Sequence, residues 1–405
     1  MPESTALAGL RVLDLTNLLA APQIAATLAD FGADVVKIEP PEGDPLRRIG
    51  VQRGGASPQW ALVSRNKRAI TLDLDQPEGR RVFERLVARA DVLIENLPAK
   101  LLARWGCEPA TLHARNPRLV VVSVSCYGRT GPYAERAGAG TLAEAFAGFA
   151  HMNGEADGPP MVPSLPLGDT LSGFSGVIGT MMALYARDRA DGGSGCGQHV
   201  DVSMVEPILQ LLALPLASYD GSGSGPKRMG SRVAGGVPRN LYRAADGDWM
   251  ALSGTTDAQV GRILTLIGCD DEEGRVRFGT SSARLAAADE LDGLVARFIA
   301  GRSRDEALAA FHEIRIPVAP VNDLAALLDD PHLRERAAVT TLEDPVIGDV
   351  HLVTPAPRLS ATPGRHRHTG PTLGEHTREI LADWLGLDEA EVESEVEALA
   401  APRAR

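Results

Sequence analysis

The chain has 405 residues, 44% hydrophobic and 23% charged, which excludes wholesale disorder and fits a globular chain of two domains at roughly 100–200 residues each. Its formal charge of −12 disfavours a nucleic-acid partner, because an acidic surface repels phosphate backbones. The cysteines, Cys107, Cys126, Cys196 and Cys269, are too few and too scattered for a disulfide framework or a zinc site, and are expected as free thiols in the cytoplasm.

The start, MPESTALAGLRV, has no basic opening and no long apolar run, so no signal peptide is expected. Leu10–Leu15 reads as a strand, Ala21–Phe31 as a helix and Asp34–Ile38 as a second strand. Thr71–Leu74, Ala90–Ile94 and Leu119–Val124 read as further strands, with a helix over Glu78–Arg89. That alternation predicts a parallel sheet covered by helices, an α/β fold. Helical patterns follow at Thr141–Phe149 and Thr170–Arg187, and Val200–Val205 reads as a strand or a helix start. The most apolar stretch, Leu171–Ala186, is shorter than the ~20 residues of a membrane span and is expected to be a buried helix. Ser222–Gly236 is rich in Gly and Ser and reads as a linker or mobile loop. Asn240–Arg243 and Trp249–Ser253 flank the turn AADGD. Helices are expected at Gln259–Ile267, Ala283–Ala300, Asp305–Glu313 and Glu375–Leu385, with a helix-like NDLAALLDD before Pro331.

Several residues invite chemistry. The turn after the first strand, Thr16 to Pro22, lacks glycine, so it does not fit a dinucleotide fingerprint. Gly138-Ala139-Gly140-Thr141-Leu142-Ala143 fits a loose GxGxxA but lies well beyond its strand, so no nicotinamide cofactor is expected. His366 and His368 in RHRH read as a solvated loop; no metal site is expected there or elsewhere. Arg65, Lys67, Arg68, Lys100, Arg104, Arg129 and Arg136 cluster near predicted strand ends, where a phosphorylated ligand would suit them. Each alone reads as a solvated cation. Asp169, ahead of a long apolar helix, reads as an N-cap; the same placement beside glycine suits a nucleophile.

The blocks LRVLDLT…LADFGADVVKIEPPEGDPLR, RNKRAITLDL, ADVLIENLPAKLLARWG, NPRLVVVSVSCYGRTGPYAERAG, GDTLSG, GQHVDVSM, IPVAPVNDLAALLDDPHLRER and TLGEHTREIL run in order nearly end to end. Together they resemble the class III CoA-transferases, the family of formyl-CoA transferase and carnitine CoA-transferase. The α-methylacyl-CoA racemases belong to the same superfamily. The resemblance implies a Rossmann-like parallel-sheet large domain, a smaller α+β domain and an interlocked homodimer. Residues 1–215 would begin the large CoA-binding domain, 216–226 would link, 227–330 would form the small domain, and 331–405 would return to the large one.

It also implies coenzyme A thioesters as substrates, with no metal and no membrane or nucleic-acid partner. Asp169 would attack the acyl-CoA, giving an anhydride and then an aspartyl-CoA thioester. The implied CoA contacts are Leu18, Leu72, Asn96, Leu97, Arg104 and Arg136, with Arg104 meeting a phosphate. Asp75 stands where many relatives have lysine, and Pro40 and Leu19 replace an arginine and a glutamine of formyl-CoA transferase, so formate and oxalate are not expected substrates. Gly235 and Gly236 fall near the family's glycine loop, with a plain linker as the alternative. The stretches GAGTLAEAFAGFAHMNG, PPMVPSLPLGD and VPRNLYRAADGDWMALS look most like mesaconyl-CoA C1–C4 and succinyl-CoA-dependent dicarboxylate CoA-transferases. Arg47, Arg232 and Arg239 are candidates for the second carboxylate, or else form structural salt bridges. A racemase would need a histidine at Ala139. A catalytically silent CoA-binding member is the remaining alternative, against which the presence of Asp169 argues.

Overall fold

The computed structural model describes residues 5–221, 225 and 227–400. Ser222, Gly223, Ser224 and Pro226 of the expected linker lie outside the described residues. The chain packs as two compact units: Met1–Ala147, Pro163–Ala213 and Arg334–Arg405 form one, Gly148–Val162 and Leu214–Leu333 the other. Gly148–Val162, expected with the first stretch of the chain, packs with the second unit instead.

The first unit is built on six parallel strands: β1 (Arg11–Leu15), β2 (Asp34–Glu39), β3 (Arg68–Thr71), β4 (Val92–Glu95), β5 (Val120–Ser125) and β6 (His199–Ser203), in the order β3-β2-β1-β4-β5-β6. The strands are near-continuous apolar runs because both faces are covered; Val12, Leu13, Val36, Leu93, Val120 and Val121 are fully buried. β1 takes its partners on opposite sides, Val12 facing Val35 of β2 and Val92 of β4. The connections therefore reverse direction between β1 and β4, and open sheets hold ligands in the crevice such a reversal leaves at the strand C-termini.

The expected third strand, Thr71–Leu74, sits three residues early, at Arg68–Thr71. Leu72 and Leu74 misled the pattern: both are buried, but in the core beyond the strand's end. Three helices position the site: α1 (Ala20–Asp30), α2 (Gly140–Phe146) and α3 (Leu167–Asp188). The helix expected over Thr141–Phe149 ends at Phe146, and Gly148 at φ +86° starts a separate turn, Phe149–Met152.

The chain's end returns to this unit. Ile380, Leu381 and Trp384 of the helix Thr377–Leu385 fill the core over β1–β3. A hairpin, Val339–Asp344 with Gly348–Val353, and a last helix, Glu389–Ala400, had not been expected. His366 is not on a solvated loop. Its side chain is 2% exposed, Thr340 Oγ1 meets Nδ1 at 2.9 Å, and burial beside Arg65 lowers its pKa to about 4, so it is neutral.

The second unit is α+β. β7 (Arg239–Arg243), β8 (Trp249–Ser253) and β9 (Val318–Pro320) form an antiparallel sheet. Its core takes Met250, Leu252, Ile263, Val295, Ile299 and Phe311 from the sheet and the helices beside it. The expected helix Ala283–Ala300 is two, Ser281–Ala286 and Ala288–Ala300. Among the described residues no helix is long and apolar enough to cross a membrane.

Candidate active site

The loops leaving β1 and β4 are clamped to each other. Asn17 N–H donates to Asn96 Oδ1 at 2.8 Å, and Asn96 Nδ2 donates back to Asn17 O at 2.8 Å. Between this clamp and α1, Leu18 is held at φ +66°, an uncommon conformation for a branched side chain that persists where the surroundings over-determine it. Its side chain is left 45% exposed on a cavity of about 520 Å³. The cavity lies at the reversal point of the sheet, bounded by Leu18, Asn96 and Leu97 on one side and by Cys126, Arg136 and Asp169 on the other.

Asp169 is not an N-cap. The helix α3 starts two residues earlier, at Leu167, which places Asp169 inside the first turn with its side chain free to face the cavity. It is half-buried. Its carboxylate rests on Gly140: a Cβ there would lie 2.4 Å from Oδ2, so only glycine fits. Gly138 has the same role for Cys126, whose Sγ would be 2.4 Å from a Cβ. The GxGxxA pattern is thus a close-packing device, with glycines that let α2 approach its neighbours.

Burial pushes the Asp169 carboxyl above its usual pKa; its own backbone N–H offsets part of this, and the negative Glu144 adds to the rise. Among the described residues no cation pairs with Asp169. A carboxylate so placed is a basic, approachable nucleophile. The Cys126 thiol also lines the cavity, but burial and the nearby Asp169 push its pKa up, so it stays a thiol rather than a thiolate.

A second cavity, about 340 Å³, shares Asn17 and Leu97 with the first. Arg104 lines it, paired to Asp75 at 2.7 Å, and Trp105 Nε1 donates to the same carboxylate at 2.7 Å. The charge of Arg104 is therefore already partly answered. Pro40 lies on this wall as well.

Other expected contacts fall elsewhere. Leu72 is 2% exposed and lines neither cavity; its side chain belongs to the core. Arg47 gives both its Nε and Nη2 to Glu39 at 2.7 Å and stacks on Trp60, which commits it to the fold. Arg65, Lys67 and Arg68 are likewise paired, with Asp30, Asp14 and Asp34. Arg129 lines the cavity but is held by Glu95 at 2.7 Å. Lys100 and Arg136 line it with no carboxylate partner among the described residues, Arg136 lying 3.6 Å from the Tyr133 ring centre.

In the second unit, Arg232 is taken by Asp289 and Asp292. Arg239 has no ion-pair partner among the described residues and lines a cavity of about 480 Å³ beside β8 and β9. Val233 and Gly236 close a bridge across Gly235 at φ +93°, a tight turn rather than a slack linker. The residue that sequence reasoning passed over is Glu144, a lone acid in the apolar run TLAEAFAGFA, buried at 1% exposure. An unpaired acid on the inner face of an amphipathic helix was the available signal.

Residues 7–377 match the profile of CoA-transferase family III. The chain is 37% identical to a succinyl-CoA–D-citramalate CoA-transferase of Chloroflexus aurantiacus, over 94% of each chain. It is 33% identical to a succinate–glutarate CoA-transferase of Agrobacterium fabrum, covering 93% of this chain and 95% of that one. Among solved structures, a CAIB/BAIF family protein from Brucella suis superposes with a TM-score of 0.82 at 33% identity, covering 94% of this chain and 99% of that one.

Proposed function

The chain belongs to CoA-transferase family III, and from that premise we propose that it moves CoA between C4–C5 dicarboxylic acids with Asp169 as the acyl acceptor. The observation that carries the reading is the Asp169 carboxylate, paired with no cation among the described residues, on a cavity at the sheet's reversal point. The Asp169 carboxylate attacks the thioester carbonyl; the C–S bond breaks, leaving an acyl-aspartyl anhydride and CoA thiolate. The thiolate attacks the aspartyl carbonyl of that anhydride and expels the donor acid as carboxylate. The acceptor carboxylate attacks the resulting aspartyl-CoA thioester, and the reverse steps return Asp169 as the free carboxylate. Each displacement thereby meets an activated acyl group.

Lys100 and Arg136 suit the CoA diphosphate, and Leu18, Asn96 and Leu97 suit the pantetheine arm, since all line the same cavity. Arg104 is assigned to the nucleotide end, in competition with Asp75. Gly235 and Gly236 are assigned to oxyanion donation on their resemblance to the family's glycine loop. Arg239, free of carboxylate partners among the described residues, is assigned to the substrate's second carboxylate. The Chloroflexus relative is named for succinyl-CoA as donor, and the Agrobacterium one for glutarate, a C5 diacid. Among the described residues no histidine lines the Asp169 cavity and Ala139 does, which supports transfer over racemisation.

The second unit is read as the small domain, and the working form as an interlocked homodimer. A stripe on α3, Phe174, Ile178, Met182 and Tyr185, is 55–70% exposed, as a face awaiting a second copy would be. Four free cysteines fit a cytoplasmic setting.

The test is a panel of acyl-CoA donors and acids read by mass spectrometry. Succinyl-CoA should exceed butyryl-CoA by about 30-fold or more in kcat/KM, the effect of leaving an arginine unpaired once bound substrate has taken it out of water; in the free protein Arg239 is exposed. Arg239→Met should shrink the ratio. Equal use of the two donors refutes the dicarboxylate reading and leaves CoA transfer standing.

A further inference from the structure

The first turn of α3 has backbone N–H groups with no partner inside the helix, and its N-cap position is Pro166, which supplies no side-chain acceptor. One of these groups is answered from another helix: Gly168 N–H donates to Glu144 Oε1 at 2.9 Å. Glu144 is 1% exposed, so this bond is shielded from water. Gly140 and Glu144 are four residues apart and share one face of α2. That face thus supplies both the floor under the Asp169 carboxylate and a tether on the N–H of the residue just before it. Gly168 itself has room for no Cβ, which would lie 2.9 Å from Gly140 O. A buried acid with no cation among its described partners is unfavourable unless its hydrogen bonds compensate, and here the bond lands one residue from the nucleophile.

We propose that Glu144 is a positioning residue of the transfer reaction: its carboxylate anchors Gly168 N–H and so fixes the direction in which Asp169 presents its oxygens to the thioester. The inference rests on Asp169 being the nucleophile. The wild type and Asp169→Ala are therefore assayed first for transfer from succinyl-CoA, and a wild type without transfer, or an Asp169→Ala with it, defeats that reading rather than this one.

Given that control, Glu144→Ala should lower kcat by about 30- to 100-fold, as misplacement of a reacting group by an ångström does. Its KM for succinyl-CoA should stay within about 3-fold, because the CoA contacts are elsewhere. Glu144→Gln retains an oxygen at the acceptor position and should restore kcat to within about 5-fold of wild type. Glu144→Asp keeps the charge but withdraws the acceptor by one methylene, and should behave like Ala; it decides the matter if the Ala protein does not fold. A loss of fold alone would lower the active fraction of all variants without this ordering. Full kcat in Glu144→Ala or Glu144→Asp, or no rescue by Gln, overturns the proposal.

Discussion

Two acidic neighbourhoods of the first unit follow opposite rules. At the end of β1, Asp14 is fully buried and meets Lys67 at 2.7 Å and Lys37 at 3.8 Å; Lys37 also holds Asp44 at 3.2 Å, and Glu39 beside them holds Arg47. Burial by itself would raise the Asp14 pKa, yet the two lysines outweigh it and the net shift is downward. At the start of α3, Asp169 sits near a second acid, Glu144, and no described cation offsets either one; there the net shift is upward. The first arrangement neutralises its charges in place among the inner strands of the sheet. The second keeps a carboxylate basic and seats it on its own backbone N–H and a glycine floor, as a group that must form and break bonds requires.

The largest expected effect breaks the second neighbourhood at its centre. Asp169→Ala should lower kcat/KM by on the order of 10⁴-fold or more, as loss of a nucleophile does, while CoA still binds by calorimetry. Its unfolding free energy should change by about 1 kcal/mol or less, because a first-turn acid adds only a small helix-dipole term. A folded Asp169→Ala protein with substantial turnover refutes the assignment.

The mirror experiment removes the acid of the first neighbourhood. Asp14→Ala leaves Lys37 and Lys67 buried together, with Asp44 as the remaining acid on Lys37. It should destabilise the protein by ~3–5 kcal/mol in chemical denaturation, the usual result of stranding a buried charge. Unfolding curves that match wild type would show that the network is not structural.

These contrasts bear on what the sequence could disclose. β1, α1 and β2 were legible because each is an apolar run of the right period, but the strand order, and with it the reversal between β1 and β4 where the cavity lies, was not. Asp169 was singled out by resemblance, but its placement in the first turn was not, since the helix opens through Leu167-Gly168 without a cap signal. The commitments of Arg47 to Glu39 and Arg232 to Asp289 and Asp292 were illegible because the latter partners lie more than 50 residues away in sequence. The last helix did carry a signal: Asp388 and Glu391 form a reciprocal cap, and Val392, Val396 and Leu399 follow at helical spacing. Its acidity hid the apolar stripe.

The smallest effect sharpens the comparison, because it asks whether the reactive carboxylate is a burden on the fold. In the native state Asp169 has a raised pKa, so the folded protein binds that proton more tightly than the unfolded chain does. Below the unfolded value of about 3.8 the group is protonated in both states and carries no penalty. As pH rises through that value toward the raised native one, the unfolded chain releases its proton first, and native stability falls. Above the native pKa the penalty is constant. Asp169→Asn removes the ionisation and keeps the shape, so it should raise the melting temperature at pH 7 by about 1 °C, the scale of a fraction of a kcal/mol. The gain over wild type should fade as pH drops through the native pKa and vanish below the unfolded one. Asp14→Asn should move the other way at pH 7, because the Asp14 pKa is lowered and its ionised form stabilises the fold. If Asp169→Asn instead melts lower than wild type at pH 7, burial is not the dominant force on that carboxylate, and the two neighbourhoods differ less than their geometry implies.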